Sequence, residues 1–246
     1  MGNKKFHNYE TFFRDKKFYQ RIIEIIMDAQ KQYNYFDLSY RTGSDVWTHT
    51  PYHKTALRIL PSLPAGTIVL DIGSGRGIWA VKLIEQGYRV IGVDYVKSIV
   101  DKLNQDIKEY ANAEKIRFIQ AEATDLPFID NSIELATEIG LMQHFDHDHQ
   151  LKYVAELQRI IKPGGYVLSV NLSDQTPRYL DFTPKTKNNS PYEKFGVSYT
   201  FFSKEEVAEM FGQYGFTTIH QEIEFFDSRT DPGESLGLLF TLAQKK

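Results

Sequence analysis

Two aspartates and three glycines carry the first chemical signal in this sequence. In "VLDIGSGRGIWAV", Val69 to Val81, an apolar run ends around Asp71, and Gly73, Gly75 and Gly77 follow at alternate positions. An apolar helical pattern begins at once behind them. A side chain at such positions would block a ligand's close approach to the backbone. The spacing is G-x-G-x-G rather than the G-x-G-x-x-G of dinucleotide enzymes, though both solve the same steric problem. Asp71 places a carboxylate at the mouth of the turn, where it can order the loop or receive an ammonium group, and where a pyrophosphate would be repelled. Asp94 ends the next apolar strand and can accept both hydroxyls of a ribose, a role that serves NAD equally well. The competing reading of both aspartates is simple turn capping.

"QHFDHDHQ" gathers His144, His147 and His149 with Asp146 and Asp148. These are metal-ligand types, yet their spacing matches none of the recurrent metal motifs. A helix must start here, so Asp146 or Asp148 reads as its cap and first-turn acid, and no metal is expected. Nearer the N-terminus, Tyr33, Tyr35, Phe36, Tyr40, Trp47 and Tyr52 could wall an aromatic or cationic substrate. Packing of the first helix onto a sheet accounts for most of them. Trp47 and Tyr52, with the hydrophilic His49 and His53, are the ones expected to line a site.

The elements that must position these residues alternate. "TIVLDI", "YRVIGVDY", "KIRFIQA", "SIELATEI" and "YVLSVNL" read as five short strands. "GIWAVKLIEQG", "KSIVDKLNQDIKEY" and a stripe of Leu151, Val154, Leu157 and Ile161 read as helices between them, the last ended by "KPGG". Such alternation implies βαβ units and a doubly wound, mostly parallel sheet with its ligand over the carboxyl ends of the strands. Ser203 and Glu206 form a capping box for "KEEVAEMFGQYG". "FTTIHQEIEFF" and "LGLLFTLAQKK" then read as an antiparallel pair at the sheet edge, which brings the strand count to seven. Two regions break the rhythm. Residues 1–65 hold an amphipathic helix (Phe18, Ile22, Ile25, Ile26, Ala29), the aromatic segment, and Thr50 as a cap ahead of Pro51. Residues 173–200 are polar, Pro-punctuated and too long for a plain connection. The expected organisation is an N-terminal helical cap or substrate lid over 1–65 and a cofactor-binding domain over 66–246, with a substrate-loop insertion over 173–200 after the fifth strand.

The bulk composition narrows the classes. The chain has 246 residues, 41% hydrophobic and 25% charged, which suits one α/β domain. With 29 basic against 32 acidic residues, no polyanion-binding surface is expected. The absence of cysteine excludes disulfides, thiolate zinc sites and a cysteine nucleophile. No apolar run reaches membrane-spanning length, "MGNKKFHNYE" lacks a signal-peptide core, and the cytoplasm is the expected compartment. The pattern leaves oligomeric state open.

The stretches "FIQAEATDLPFIDNSIELATEIGLMQHF" and "LQRIIKPGGYVLSV", taken with the glycine turn, resemble the class I S-adenosylmethionine-dependent methyltransferases, closest to the small-molecule branch. The resemblance covers Thr67 to Val170 well and decides between cofactors, which the glycines alone do not. It implies a Rossmann-like methyltransferase fold, S-adenosylmethionine as cofactor and S-adenosylhomocysteine as product. It makes Asp71 and Gly73, Ser74, Gly75 and Gly77 the cradle for the methionine portion, Asp94 the ribose ligand and Tyr95 a flat neighbour of the adenine. Glu122 and Ala123 stand where the family has Asp-Ala against the adenine, with glutamate as a departure. Glu138 to Leu141 fall beside the sulfonium and the substrate entrance. His144 falls where many relatives place a histidine above the cofactor, as substrate contact or general base.

The resemblance thus implies methyl transfer by in-line displacement to an oxygen or nitrogen of a small molecule. Two alternatives stand beside it: an RNA-modifying methyltransferase, and a non-catalytic cofactor-binding or partner protein on the same fold.

Overall fold

The computed structural model describes residues 30–43, 51–110, 112–177, 192–194, 197–227, 233 and 235–246. Residues 30–42 form a helix, α1. It is followed by α2 (His53–Ile59), β1 (Ile68–Ile72), α3 (Ile78–Glu85), β2 (Arg89–Asp94), α4 (Lys97–Asp106) and β3 (Ile116–Gln120). Then come β4 (Ile133–Ile139), α5 (His147–Ile160), β5 (Ile161–Leu172), the short β6 (Tyr192–Lys194) and β7 (Val197–Tyr199), α6 (Lys204–Gln213), β8 (Phe216–Asp227) and β9 (Ser235–Lys245).

Seven strands form one sheet in the order β3-β2-β1-β4-β5-β9-β8. The first five are parallel, and β9 runs antiparallel to both β5 and β8. This is the doubly wound, mostly parallel sheet anticipated from the alternation. Strand order reverses between β1 and β4, so their carboxyl ends open the crevice in which such sheets bind ligands.

Burial on both faces explains the continuous apolar strands. On one face α3 and α4 pack Trp79, Leu83, Ile99 and Leu103 against Val69, Val90 and Leu135. On the other, α5 and α6 pack Tyr153, Leu157, Met210 and Phe211 against Leu70, Ile72 and Ala136. The helix starts follow the sequence chemistry. Asp146 caps α5 by accepting from the backbone N–H of His149, and Ser203 with Glu206 forms both halves of a capping box on α6.

Two local expectations are corrected. "KPGG" does not end a helix: α5 stops at Ile160 and the motif lies within β5, whose pairing to β4 shifts register between Ile133 and Leu135. The α2 helix starts with Tyr52 as its N-cap residue, without a side-chain cap. Thr50 and the expected first helix through Phe18 and Ala29 lie outside the described residues.

Candidate active site

The glycine turn follows β1, and Gly73, Gly75 and Gly77 all have positive φ (71°, 48° and 72°), a region that costs any residue with a Cβ. Each also leaves room for a neighbour. A Cβ on Gly73 would lie 3.2 Å from Leu141, one on Gly75 3.3 Å from the Tyr40 hydroxyl, and one on Gly77 2.9 Å from the Phe118 ring. The turn is stitched to β2: Gly73 and Ser74 donate their N–H groups to the Val93 carbonyl, at 2.8 and 2.9 Å.

Asp94 completes that stitching. Its Oδ2 accepts from the Gly75 N–H at 2.8 Å and its Oδ1 from the Val96 N–H at 2.9 Å. The turn-capping role weighed for it in the sequence is therefore one that it performs. Burial pushes its carboxyl up to about 6 against the pull of these donors.

Asp71 sits at the end of β1 beside Thr137 of β4, whose hydroxyl lies 3.4 Å from Oδ1. Trp79 Nε1 in turn donates to that hydroxyl at 3.1 Å. Burial first, then the charges of Asp94 and Glu138, push the Asp71 carboxyl up to about 7. Three polar atoms around this end of β1 and β2, Asp71 Oδ2, Ser74 Oγ and Tyr95 Oη, are buried with no partner among the described residues. Buried polar atoms are as a rule paired, so these are open bonding positions. They suit a ligand bearing a cation and hydroxyl groups, which S-adenosylmethionine supplies as its ammonium, sulfonium and ribose.

Glu138 is placed otherwise than expected. Its carboxylate turns into the protein, where Oε1 accepts from the Ser169 hydroxyl and the Asn171 amide of β5. Oε2 accepts from the backbone N–H groups of Leu141 and Met142, at 3.0 and 3.4 Å. Burial raises its carboxyl, and the four donors oppose that rise. Glu138 thereby fixes the short 3-10 turn Met142–His144 that leads into α5.

His144 ends that turn and is buried. Its Nδ1 lies 3.0 Å from the Ser198 carbonyl of β7, and Phe36 and Tyr199 pack on it with ring centroids 5.1 and 4.8 Å away. Burial holds the imidazole down to about 4, so it is neutral at neutral pH.

Phe36 belongs to α1, which lies across the site. Gln32 donates to the His144 carbonyl at 3.2 Å, Asp37 accepts from the Ser98 hydroxyl, and Tyr33 meets Tyr95 edge-on at 5.5 Å. Tyr33, Phe36 and Tyr40 pack against the core, as expected for most of these aromatic residues, and Phe36 also meets His144. Their signal is the four-residue spacing of Gln32, Phe36 and Tyr40, which puts them on one helix face. Thr137, Ser169 and Asn171 were not anticipated, since polar residues inside apolar strands look alike until their partners are known, nor were Trp79 on α3 and Gln143 in the 3-10 turn.

The remaining expected residues separate. Leu141 packs on Gly73, and Ala123 is partly buried against the α5-side core. Glu122 is exposed, with its backbone in an isolated bridge to Asp125. Tyr52 is buried against Trp79, with centroids 6.1 Å apart, so it is a core residue one layer behind Thr137. His53 lies on α2, where its ring meets Tyr52 at 6.2 Å, and burial lowers its pKa. Trp47 and His49 lie outside the described residues.

Residues 69–165 match the family model described as a methyltransferase domain. A demethylmenaquinone methyltransferase of Bacillus cereus is 27% identical over 192 residues, 70% of this chain and 78% of that protein. A second protein of that name, from Bacillus anthracis, is 31% identical over 133 residues, 52% of this chain and 54% of its own. Among solved structures, the Burkholderia thailandensis 1,6-didemethyltoxoflavin-N1-methyltransferase, with bound 1,6-didemethyltoxoflavin and S-adenosylhomocysteine, superposes with a TM-score of 0.69. It is 25% identical, and the match covers 89% of this chain and 88% of that one. Residues 69–165 are a methyltransferase domain, and the relatives and the ligand-bound neighbour support S-adenosylmethionine-dependent methyltransferase activity. The matched segment of this methyltransferase runs from β1 into β5 and so includes the glycine turn, Asp94, Glu138 and His144. The segment carrying α1 lies outside it. Among the described residues no helix is long and apolar enough to cross a membrane.

Proposed function

We propose that this methyltransferase moves the methyl group to an oxygen or nitrogen of a small-molecule acceptor by in-line displacement. The observation that carries the reading is the likeness, over most of both chains, to a structure that holds a small molecule together with S-adenosylhomocysteine. S-adenosylmethionine supplies a methyl group on an activated leaving group, so no covalent nucleophile is needed. What the protein must supply is position and the exclusion of water, worth up to about 7–11 kcal/mol when alignment is good.

In this reading the Gly73–Gly77 turn cradles the methionine end, and Asp71 Oδ2 and Ser74 Oγ take bonds from it. Asp94, held still by Gly75 and Val96, uses its remaining lone pairs on the ribose hydroxyls. Tyr95 and Ala123 flank the adenine, with Glu122 reaching it from the surface. Leu141 stands beside the sulfonium, and Glu138 acts through the turn that carries Leu141 and His144. His144 is a substrate contact rather than the base, because a buried imidazole held down to about 4 takes up a proton poorly at neutral pH. The α1 helix covers the site as a lid, supported by its contacts to Tyr95, Ser98 and His144.

The test is transfer of a radiolabelled methyl group from S-adenosylmethionine to three separated cell fractions: small metabolites, total RNA and protein. Label in the metabolite fraction that depends on the enzyme is the expected result. Label confined to RNA or protein would overturn the reading.

A further inference from the structure

Gln143 stands next to His144 and is itself fixed on every side. Its backbone N–H donates to Asn171 Oδ1 at 3.0 Å, and its carbonyl accepts from the Thr200 N–H at 2.7 Å. Its side-chain oxygen accepts from the Leu172 N–H at 2.9 Å. A carboxamide with its oxygen committed to an N–H must turn its NH2 the other way. In that direction lies His144 Nε2, at 3.4 Å. An NH2 group only donates, so the Nε2 opposite carries a lone pair and no hydrogen. The other ring nitrogen faces the Ser198 carbonyl at 3.0 Å, which only accepts, so the proton is on Nδ1. Two partners, one on the adjacent residue and one on β7, specify the same form.

We propose that Gln143 is a positioning residue that holds His144 as a neutral, Nδ1-protonated imidazole. In that form the ring lines the site as an uncharged wall and presents no positive charge to a cationic cofactor. A doubly protonated ring would set Nε2–H against the Gln143 N–H. The inference concerns the same site as the proposed function and rests on its reading of His144 as a group on the acceptor side. Asn171 connects the two parts of the turn: its amide donates to Glu138 while its oxygen accepts from Gln143. The residue that fixes the turn and the residue that fixes the ring therefore share one anchor on β5.

The experiment is ¹⁵N NMR of histidine-labelled protein near neutral pH, with His144 assigned by its loss in His144→Gln. The wild-type spectrum is expected to show a pyrrole-type Nδ1 and a pyridine-type Nε2, the tautomer less favoured by free histidine. Gln143→Glu keeps an oxygen for Leu172 and replaces only the NH2 with an acceptor, so His144 is expected to become doubly protonated. Gln143→Leu, as a second variant, is expected to stay neutral with its Nε2 signal moved toward that of an unbonded ring nitrogen. A wild-type ring protonated at Nε2 would overturn the proposal, as would a Gln143→Glu spectrum identical to wild type. The acceptor-side reading is judged separately, by the methyl-transfer assay, so either can fail alone.

Discussion

The Thr137 hydroxyl on β4 lies 3.4 Å from Oδ1 of Asp71 on the neighbouring β1, and Asp71 Oδ2 is left buried without a partner among the described residues. A buried carboxylate with half of its bonding capacity unused weakens the empty fold and suits a cation. The first two predictions follow from that arrangement.

Asp71→Asn is expected to stabilise the ligand-free protein above neutral pH. The Asp71 carboxyl is raised from 3.8 to about 7 and that of Asp94 to about 6, so between pH 3.8 and 7 the folded state binds protons that the unfolded chain has released. These groups therefore cost stability as pH rises through that window. His144 acts in the opposite sense: its folded value is lowered from 6.5 to about 4, and its contribution grows as pH rises between those values. Above 6.5 Asp71 dominates. Thermal melts near pH 8 should place the variant above wild type by roughly 5 °C, with the gap closing toward about pH 4. A lower midpoint at the higher pH would contradict the assignment.

The same carboxyl should make cofactor binding proton-linked. A cation beside Asp71 favours its ionised form, so S-adenosylmethionine binding near pH 7 is expected to release a fraction of a proton. S-adenosylhomocysteine, whose sulfur is uncharged, should release less. Calorimetry in two buffers of different ionisation enthalpy measures both numbers, and equal release by the two ligands would remove the sulfonium from the account.

Glu138→Gln tests the turn. Four donors converge on this carboxylate, from Ser169, Asn171, Leu141 and Met142, and an amide nitrogen in their midst would face at least one of them donor to donor. Denaturant unfolding should show a loss of about 2–4 kcal/mol. A near-neutral result would mean that the carboxyl is protonated in the folded protein.

Phe36→Ala tests the lid. Phe36 meets Tyr40, Tyr95 and His144, and its truncation removes a contact from each. Stopped-flow measurements should show faster dissociation of S-adenosylhomocysteine, by about ten-fold (~1.4 kcal/mol), with the main unfolding transition little changed. Unchanged dissociation would separate α1 from the cofactor's exit.

How legible all this was depends on how local each signal is. The strands were readable because a strand buried on both faces is an unbroken apolar run, and the glycine turn because Asp71 to Gly77 are neighbours in sequence. Glu138 could be located but not interpreted: its meaning rests on Ser169 and Asn171, which only strand pairing brings near. Tyr52, expected to line a site, packs the core against Trp79, because an aromatic side chain looks the same in sequence whether it packs a core or covers a site. Asp94 was read both as a ligand and as a turn cap, while the choice of Gly75 and Val96 as its donors depends on backbone geometry that no residue type announces.

The position of β9 between β5 and β8 bears on how the chain is made. Residues 216–227 of β8 leave the ribosome before Ser235–Lys245, yet among the described residues β8 joins the sheet through β9 alone. Until β9 emerges, β5 keeps that edge open and β8 lacks its partner strand. The glycine turn needs only β1, β2 and β4, all synthesised much earlier. A nascent chain can therefore assemble its cofactor cradle while the far side of the sheet is still unfinished, and that unpaired edge is the surface a chaperone would have to shield.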